Sequence, residues 1–491
     1  MLTINLESTS DIPMYEQIYR HIKNEIKCGN LPYHTKLPST RSLAGHLQVS
    51  RNTVDMAYAQ LVSEGYIETV PKSGYYVSTI SNLARIDVNP TLSVRSKIKE
   101  VSSYRYDFSP FAIDINSFPY NIWRKLSKNC MNDYNNNLFL LGNNQGDEDL
   151  RNAIARYLHE SRSVNCSAEQ IIVGAGADYL LQLLAQILSF MNHTNNLLSA
   201  SSSSCFTAGK IAMENPSYKQ AYRIFTGLHY EITPIPLDSN GISIGPLYQT
   251  DANVVYATPS HQYPLGIVMP IKRRMELLEW ANGGSNRYII EDDHDSEFRY
   301  KGKPIPSLQG IDSSGKVIYI GTFSRAVAPA IRIGYMVLPE SLLQIYREHF
   351  YYYTSTVSRV DQSIMKSFIE EGYFERHLNK MRKIYKNKHD LLIHCLKIFK
   401  DSIFIEGENA GLHLVVRFKS SALEQELIAA AAKEGIKLYG LKEHYLTSVS
   451  NNAGLNPTDY PTILLGYANV QEQDIKSGVE LLYQVYRKLI H

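Results

Sequence analysis

From about Asp107 onward, short apolar runs of strand length alternate with stretches of helical periodicity. The runs are Ile171–Val173, Asn253–Thr258, Arg287–Glu291, Lys316–Ile320 and Ile333–Leu338, with helical segments such as Ala177–Ser189 and Ile271–Asn282 between them. That alternation predicts an α/β fold, a mostly parallel sheet with helices on both faces. Residues 345–400 are helix-rich and the end of the chain is mixed α/β, which predicts a smaller C-terminal α/β subdomain. A chain of 491 residues is too long for one ordinary core, so a small domain should accompany the large one.

The first eighty or so residues follow another pattern. Ile18, Ile22 and Ile26 recur at four-residue spacing within 13–28 and predict a helix that Gly29 and Pro32 end. Pro38-Ser39 opens a short helix through Leu47, with Ser39 as its N-cap. Val49-Ser50 turns into a second helix whose buried stripe is Val54, Tyr58, Leu61 and Val62, ended by Gly65. Ile67–Val70 and Tyr75–Ser78 flank Lys72-Ser73-Gly74 as a hairpin. Helix, helix-turn-helix and hairpin make a winged-helix layout at residues 1–78. Residues 79–104 are polar and read as a linker, although Val94–Val101 has the makings of a short helix. The body then spans 105–491, its large subdomain about 135–345 and its small one about 346–491. Asn192 to Ala208 is rich in Asn and Ser and reads as a surface loop or insertion.

Composition excludes several classes. Hydrophobic content of 44% and charged content of 20% suit a folded globular chain. Net charge is only +2, and residues 1–80 hold seven Lys/Arg against seven Asp/Glu, a difference of zero. A DNA surface must therefore come from charge placement, not bulk charge. The five cysteines are scattered without a CxxC or Cys/His cluster, which suggests neither a disulfide framework nor a zinc site. Tyr179 to Phe190, the most apolar stretch, is too short to cross a bilayer and holds two glutamines. A cytoplasmic location with no membrane partner is expected.

A recognition helix reads DNA with its first turn. Here that turn is Ser50-Arg51-Asn52-Thr53: hydroxyls for phosphates, an amide able to pair with adenine, and a guanidinium able to fork onto guanine or phosphate. Ser39 and Arg41 lie at the start of the preceding helix, Lys36 just before it, and Lys72 and Gly74 at the hairpin tip. Any one of these would pass as a solvated polar residue, but the combination is specific. Pro13-Met14-Tyr15-Glu16-Gln17-Ile18, Leu37-Pro38-Ser39-Thr40-Arg41-Ser42-Leu43-Ala44 and Val49-Ser50-Arg51-Asn52-Thr53-Val54 closely resemble the GntR-type winged helix. The resemblance implies a double-stranded DNA operator as partner.

Ligands of open α/β sheets collect at the carboxyl ends of strands, where Asp292 falls. A carboxylate there can keep a pyridine nitrogen protonated. The bland reading of Glu291, Asp292, Asp293, Asp295 and Glu297 is an acidic turn. A calcium hand is disfavoured, because its glycine and terminal glutamate are missing. Glu214-Asn215-Pro216-Ser217-Tyr218, Thr258 to Pro264, Glu291 to Phe298 and Gly321-Thr322-Phe323-Ser324-Arg325 are similar to segments of fold-type I aminotransferases. The full-length order resembles the MocR family of pyridoxal phosphate (PLP) dependent regulators. By that resemblance Tyr218 would stack on the cofactor ring and Asp292 would pair with its nitrogen. Thr322, Ser324, Arg332 and the backbone at Gly176 and Ala177 would hold its phosphate.

The same resemblance exposes departures. Arg325 stands where the Schiff-base lysine belongs, and a guanidinium cannot shed its proton to act as an amine nucleophile. No catalytic residue is therefore assigned. His294 stands where a tyrosine usually contacts the cofactor's phenolic oxygen, and Ala175-Gly176-Ala177-Asp178 replaces a common Gly-Thr-Gln. Leu141-Gly142-Asn143 replaces an aromatic-glycine stretch, and Thr462-Ile463-Leu464 has no carboxylate-clamping arginine. Arg325 retains a positive charge that could donate to a phosphate or an anionic effector. Noncovalent PLP, or a related phosphorylated ligand, and a pocket that has abandoned PLP both remain open.

The leading expectation is a regulator whose body forms a homodimer and senses a small-molecule effector, with two-fold symmetry matched by paired DNA half-sites. A PLP-dependent aminotransferase carrying a DNA-binding head is the alternative, and a ligand-free dimerisation scaffold is a third.

Overall fold

The computed structural model describes residues 4, 6, 7, 12–79, 104–132, 135–198 (backbone alone for 194–198), 208–300, 305–446 and 460–490. They fall into two compact units that divide between residues 79 and 104. The linker assigned to 79–104, with its candidate helix at Val94–Val101, lies almost wholly outside the described residues.

The first unit comprises α1 (Met14–Lys27), α2 (Thr40–Leu47), α3 (Arg51–Ser63), β1 (Ile67–Val70) and β2 (Gly74–Val77). The two strands pair antiparallel, Ile67 opposite Val77. Ile18, Ile22, Leu43, Val54, Tyr58, Leu61 and Ile67 form its core. Each such side chain contributes roughly 1.5–3 kcal/mol by leaving water. Val62, expected in the buried stripe, is only partly covered, and Ala57 takes the inward position. A three-residue step from Val54 to Ala57 keeps the stripe on the α1 side, whereas Val62 lies at its margin.

The second unit opens with β3 (Tyr106–Asp107), α4 (Tyr120–Cys130) and α5 (Glu148–Arg162). There follow β4 (Ile171–Gly174), α6 (Ala177–Leu198), β5 (Gly209–Asn215), α7 (Lys219–Gly227), β6 (Tyr230–Asp238), β7 (Gly241–Ile242) and α8 (Ile244–Tyr248). Next come β8 (Val254–Ala257), α9 (Ile271–Asn282), β9 (Tyr288–Asp292), β10 (Val317–Thr322), β11 (Gly334–Val337), α10 (Glu340–His349), α11 (Arg359–Glu370) and α12 (Tyr373–Leu396). The chain finishes with β12 (Ile403–Glu406), β13 (His413–Phe418), α13 (Glu424–Lys433), β14 (Ile436–Lys437), β15 (Tyr439–Gly440), β16 (Thr462–Gly466) and α14 (Glu472–Ile490).

The large sheet has eight strands in the order β4-β11-β10-β9-β8-β5-β6-β7. β10, β9, β8, β5 and β6 run parallel, and β11 is antiparallel to both its neighbours. Successive residues face opposite layers. Ile290 and Ile318 pack with Leu184 of α6, while Ile289 and Val317 pack with Leu277 and Trp280 of α9. Burial on both faces is why these strands read as apolar runs. A smaller antiparallel sheet, β12-β13-β16-β15, forms the C-terminal subdomain, and β3 pairs in parallel with β14 beside it.

Two readings need correction. Helix α6 continues past Ser189 to Leu198, into the stretch read as a loop; residues 199–207 lie outside the described residues. Strands β5 and β6 were not among the expected runs. Pro234 and Pro236 disguise β6, because proline removes ladder donors. It is tolerated because β6 has only the two-residue β7 on that side. Among the described residues no helix is long and apolar enough to cross a membrane.

Candidate functional site

In the first unit, the start of α3 is built by its cap. Ser50 Oγ accepts from the Thr53 amide at 3.2 Å and bonds Thr53 Oγ1 at 2.8 Å. Ser39 Oγ likewise accepts from Ser42 at 3.2 Å and starts α2. Both serine oxygens thus accept a cap bond, a contribution of about 1 kcal/mol each. Gln48, at φ 55°, ends α2 in the left-handed region and makes the tight turn. Arg51 and Asn52 are left exposed on the first turn, Arg51 in a loose pair with Asp55 at 3.4 Å. Arg41 is exposed on α2, and Lys72 (φ 62°) and Gly74 (φ 114°) form the hairpin tip. Lys36 belongs to the hairpin: it bridges to Tyr76, with its Nζ 5.7 Å from that ring. Tyr76 also stacks on His34 at 5.2 Å, a wing surface the sequence reading missed.

In the second unit, the carboxyl ends of the central strands gather the expected pocket residues. Gly176 has φ 83°, and a Cβ there would lie 2.9 Å from Cζ of Arg332, so only glycine lets that guanidinium lie over the turn. Arg332 Nη2 donates to the Ala175 carbonyl at 2.9 Å and approaches Asp178 at 3.4 Å. Ala177 opens α6, which presents its first-turn amides at the same end of the sheet. Thr322 ends β10 opposite Gly334, and Ser324 follows on the turn. Asp292 ends β9 and accepts a short bond from the Tyr256 hydroxyl. Burial pushes the Asp292 carboxyl up to about 6, with Asp293, Asp178 and Asp295 adding to the rise against the Tyr256 bond. Tyr218 precedes α7, its ring 6.1 Å from Tyr263. Burial, helped by Asp178 and Asp292, raises its hydroxyl to about 12.

Arg325 is held by hydrogen bonds within the second unit. Its Nε and Nη2 fork onto Asp295 at 2.8 and 2.7 Å, and its Nη1 donates to the Pro110 carbonyl at 2.8 Å. All three nitrogens thus donate to the protein itself, which fixes the plane of the guanidinium and leaves one further N–H on each Nη. Burial alone would raise the Asp295 carboxyl. The Arg325 guanidinium, with the His294 and His261 imidazoles, outweighs it and holds Asp295 well below the usual carboxylate range. His294 meets the Tyr263 ring edge-on at 4.9 Å, and burial drops its imidazole to about 4. Its Nε2 has no hydrogen-bond partner and lies 3.5 Å from Asp295.

Residues 114–448 match the aminotransferase class I and II family, and residues 14–77 match the bacterial regulatory proteins of the gntR family. The chain is 36% identical over 491 residues to the HTH-type transcriptional regulator YhdI of Bacillus subtilis, covering 100% of this chain and 99% of that one. It is 32% identical over 500 residues to the probable rhizopine catabolism regulatory protein MocR of Rhizobium meliloti, covering 99% and 96%. The chain belongs to the MocR-type family. Its second unit also has the fold of the multiple substrate aminotransferase of Thermococcus profundus, with TM-score 0.65 and 23% identity over 79% of this chain and 92% of that one.

The MocR-type pocket holds more than the sequence reading named. His413 and His444 join His294 around Tyr263, at ring separations of 5.6 and 5.1 Å, and His261 lies behind them, 6.5 Å from His294 and 5.9 Å from His413. They come from distant segments and carry no spacing signal. Arg162 forks onto Asp293 at 2.9 and 3.0 Å, and Tyr319 and Ser296 donate to the same carboxylate. Glu291 accepts from the amides of Leu308 and Gln309 at 2.7 and 2.8 Å. In the acidic turn, Glu291, Asp292, Asp293 and Asp295 are therefore individually satisfied carboxylates, each tied to another segment.

Proposed function

We propose that this MocR-type chain is a DNA-binding transcriptional regulator whose aminotransferase-like unit dimerises and binds an effector without transaminase turnover. The observation that carries the reading is the Arg325 fork on Asp295. A catalytic lysine must present a free amine, whereas this guanidinium is permanently charged and anchored at both edges. The exposed Arg51 and Asn52 on a capped first turn, with Lys72 and Gly74 on a wing, supply the DNA-facing half.

A phosphorylated pyridine fits the donor set. Asp292 would meet a ring nitrogen, Tyr218 a ring face, and Thr322, Ser324, Arg332 and the amides at Gly176 and Ala177 a phosphate. His294, whose buried Nε2 makes no hydrogen bond and lies 3.5 Å from Asp295, would face the ring's substituents. Such a group, when bound, supplies an electron-withdrawing ring. The residues at its position hold and orient it, and Arg325 offers no amine for a covalent bond. Effector control then requires that the occupant favour one arrangement of the regulator over another.

The test is a mobility-shift titration of the full chain on the DNA upstream of its own gene, with and without PLP. Specific retention of that DNA together with a PLP-dependent change in affinity supports the reading. Absence of any preference over random DNA would refute it.

A further inference from the structure

From Tyr104 to Asp114 the chain forms a strap along the C-terminal subdomain. Tyr106 and Asp107 pair with Ile436 and Lys437, Asn469 Nδ2 donates to the Asp107 carbonyl at 3.1 Å, and the Gly466 amide donates to the Phe108 carbonyl at 3.0 Å. A Cβ on Gly466 would lie 2.0 Å from the Ser109 carbonyl oxygen, so glycine clears the strap's path. Further on, the Asp114 amide donates to the Tyr385 hydroxyl at 3.1 Å, and its carboxylate pairs with buried Lys388 at 3.0 Å. These partners sit on β14, β16, α12 and the turn after β16.

Between the two clamps the strap meets the pocket. Pro110 gives its carbonyl to Arg325 Nη1, and the Phe111 ring stands 5.7 Å from Tyr263 and 6.4 Å from His444. Arg325 is suited to this double contact. A guanidinium carries three nitrogens in a rigid plane, so one edge can fork onto Asp295 while the far nitrogen reaches another segment. A lysine has one nitrogen and cannot span both in that geometry. The residue that removes the amine also adds a bond between the acidic turn and the strap.

We propose that Arg325 is a positioning residue that ties the pocket turn to the strap Phe108–Phe111, so that pocket occupancy is passed to the chain leading toward the DNA-binding head. The proposal rests on the regulator reading above and names its transmission element. An occupant that shifts Asp295 or His294 moves one end of the tie; Pro110 is the other end.

The experiment is hydrogen exchange by mass spectrometry on the full chain, comparing wild type with Arg325→Lys and Arg325→Gln, alongside operator titration of each. Lysine keeps the charge for Asp295 but gives up the Pro110 bond, so it separates charge pairing from the tie. Amides of 108–114 should exchange about tenfold faster in both variants while the α6 and α9 amides stay protected. Affinity for the upstream DNA should shift at least about fivefold. Unchanged exchange at 108–114 in Arg325→Lys would overturn the tie whatever the DNA result. Faster exchange with unchanged affinity would overturn the transmission role, while wild-type DNA binding keeps the regulator reading alive. Global loss of protection in both variants would assign Arg325 to the core instead, and would also overturn the proposal. If the wild type showed no operator binding, the regulator reading itself would fall, and the exchange result would stand apart from it.

Discussion

The two functional regions treat their charged residues in opposite ways. On the first turn of α3, Arg51 and Asn52 stand in solvent, and Arg51 has only a loose partner in Asp55. In the second unit's candidate site, Asp295 and Glu291 are buried, Asp293 and Arg325 are partly so, and each meets close partners. An exposed side chain is available to a ligand, so its type and position largely state its role. A buried one is defined by its partner. The head can therefore be read from residue types, but the pocket only from pairings.

The contrast breaks most sharply at Asp295. Asp295→Ala strands a largely covered guanidinium, which should cost about 3 kcal/mol in urea unfolding of the second unit. A loss under about 1 kcal/mol would mean that Arg325 finds water or another acceptor, and that the pocket is as open as the head. The pH dependence should follow the same division. Burial pushes the His261 imidazole down to about 4, against an ordinary value near 6.5. The folded chain keeps it neutral while the unfolded chain takes a proton, so its contribution is present above pH ~6.5 and is lost as pH falls toward 4. Glu291, raised to about 7 by burial, works in the other direction, gaining stability as pH falls. The histidine's share is accordingly a difference measurement. Between pH 6.5 and 4, wild type should lose on the order of 2 kcal/mol more than His261→Gln. Parallel pH profiles would show that the imidazole reaches solvent.

On the head, Arg51→Ala should weaken operator binding about tenfold, or about 1.4 kcal/mol, and leave the melting temperature unmoved. Equal affinity would remove α3 from the DNA interface. The smallest effect is expected at Ser39→Ala. Loss of the α2 cap should lower stability by about 1 kcal/mol, and DNA affinity should change only to the extent that the hydroxyl also meets phosphate. An affinity loss much larger than the stability loss would make Ser39 a contact as well as a cap.

Much of the fold was legible because its strands are buried on both faces and its helices on one. Ile271–Asn282 was placed to the residue, and the five expected runs each became a strand of the large sheet. What hid was β6, where Pro234 and Pro236 contradict strand composition, and the far end of α6, where Asn and Ser imitate a loop. For the candidate site, Gly176, Tyr218, Asp292, Thr322 and Arg332 were named from motif positions, and Arg325 from its mismatch to one. The engagement of Arg325 with Asp295 and Pro110 was not foreseeable, because the partners lie 30 and 215 positions away. His261, His413 and His444 went unnamed for the same reason: they share a place with His294 but no spacing.

The central claim is that the guanidinium at the head of this pocket is held by the protein and has no amine to offer. The direct measurement is mass spectrometry of the purified chain after incubation with PLP and borohydride reduction, with peptide mapping across 291–334. The expected result is unmodified Arg325 and no pyridoxyl group on any pocket residue. A stoichiometric pyridoxyl adduct in that pocket would contradict it.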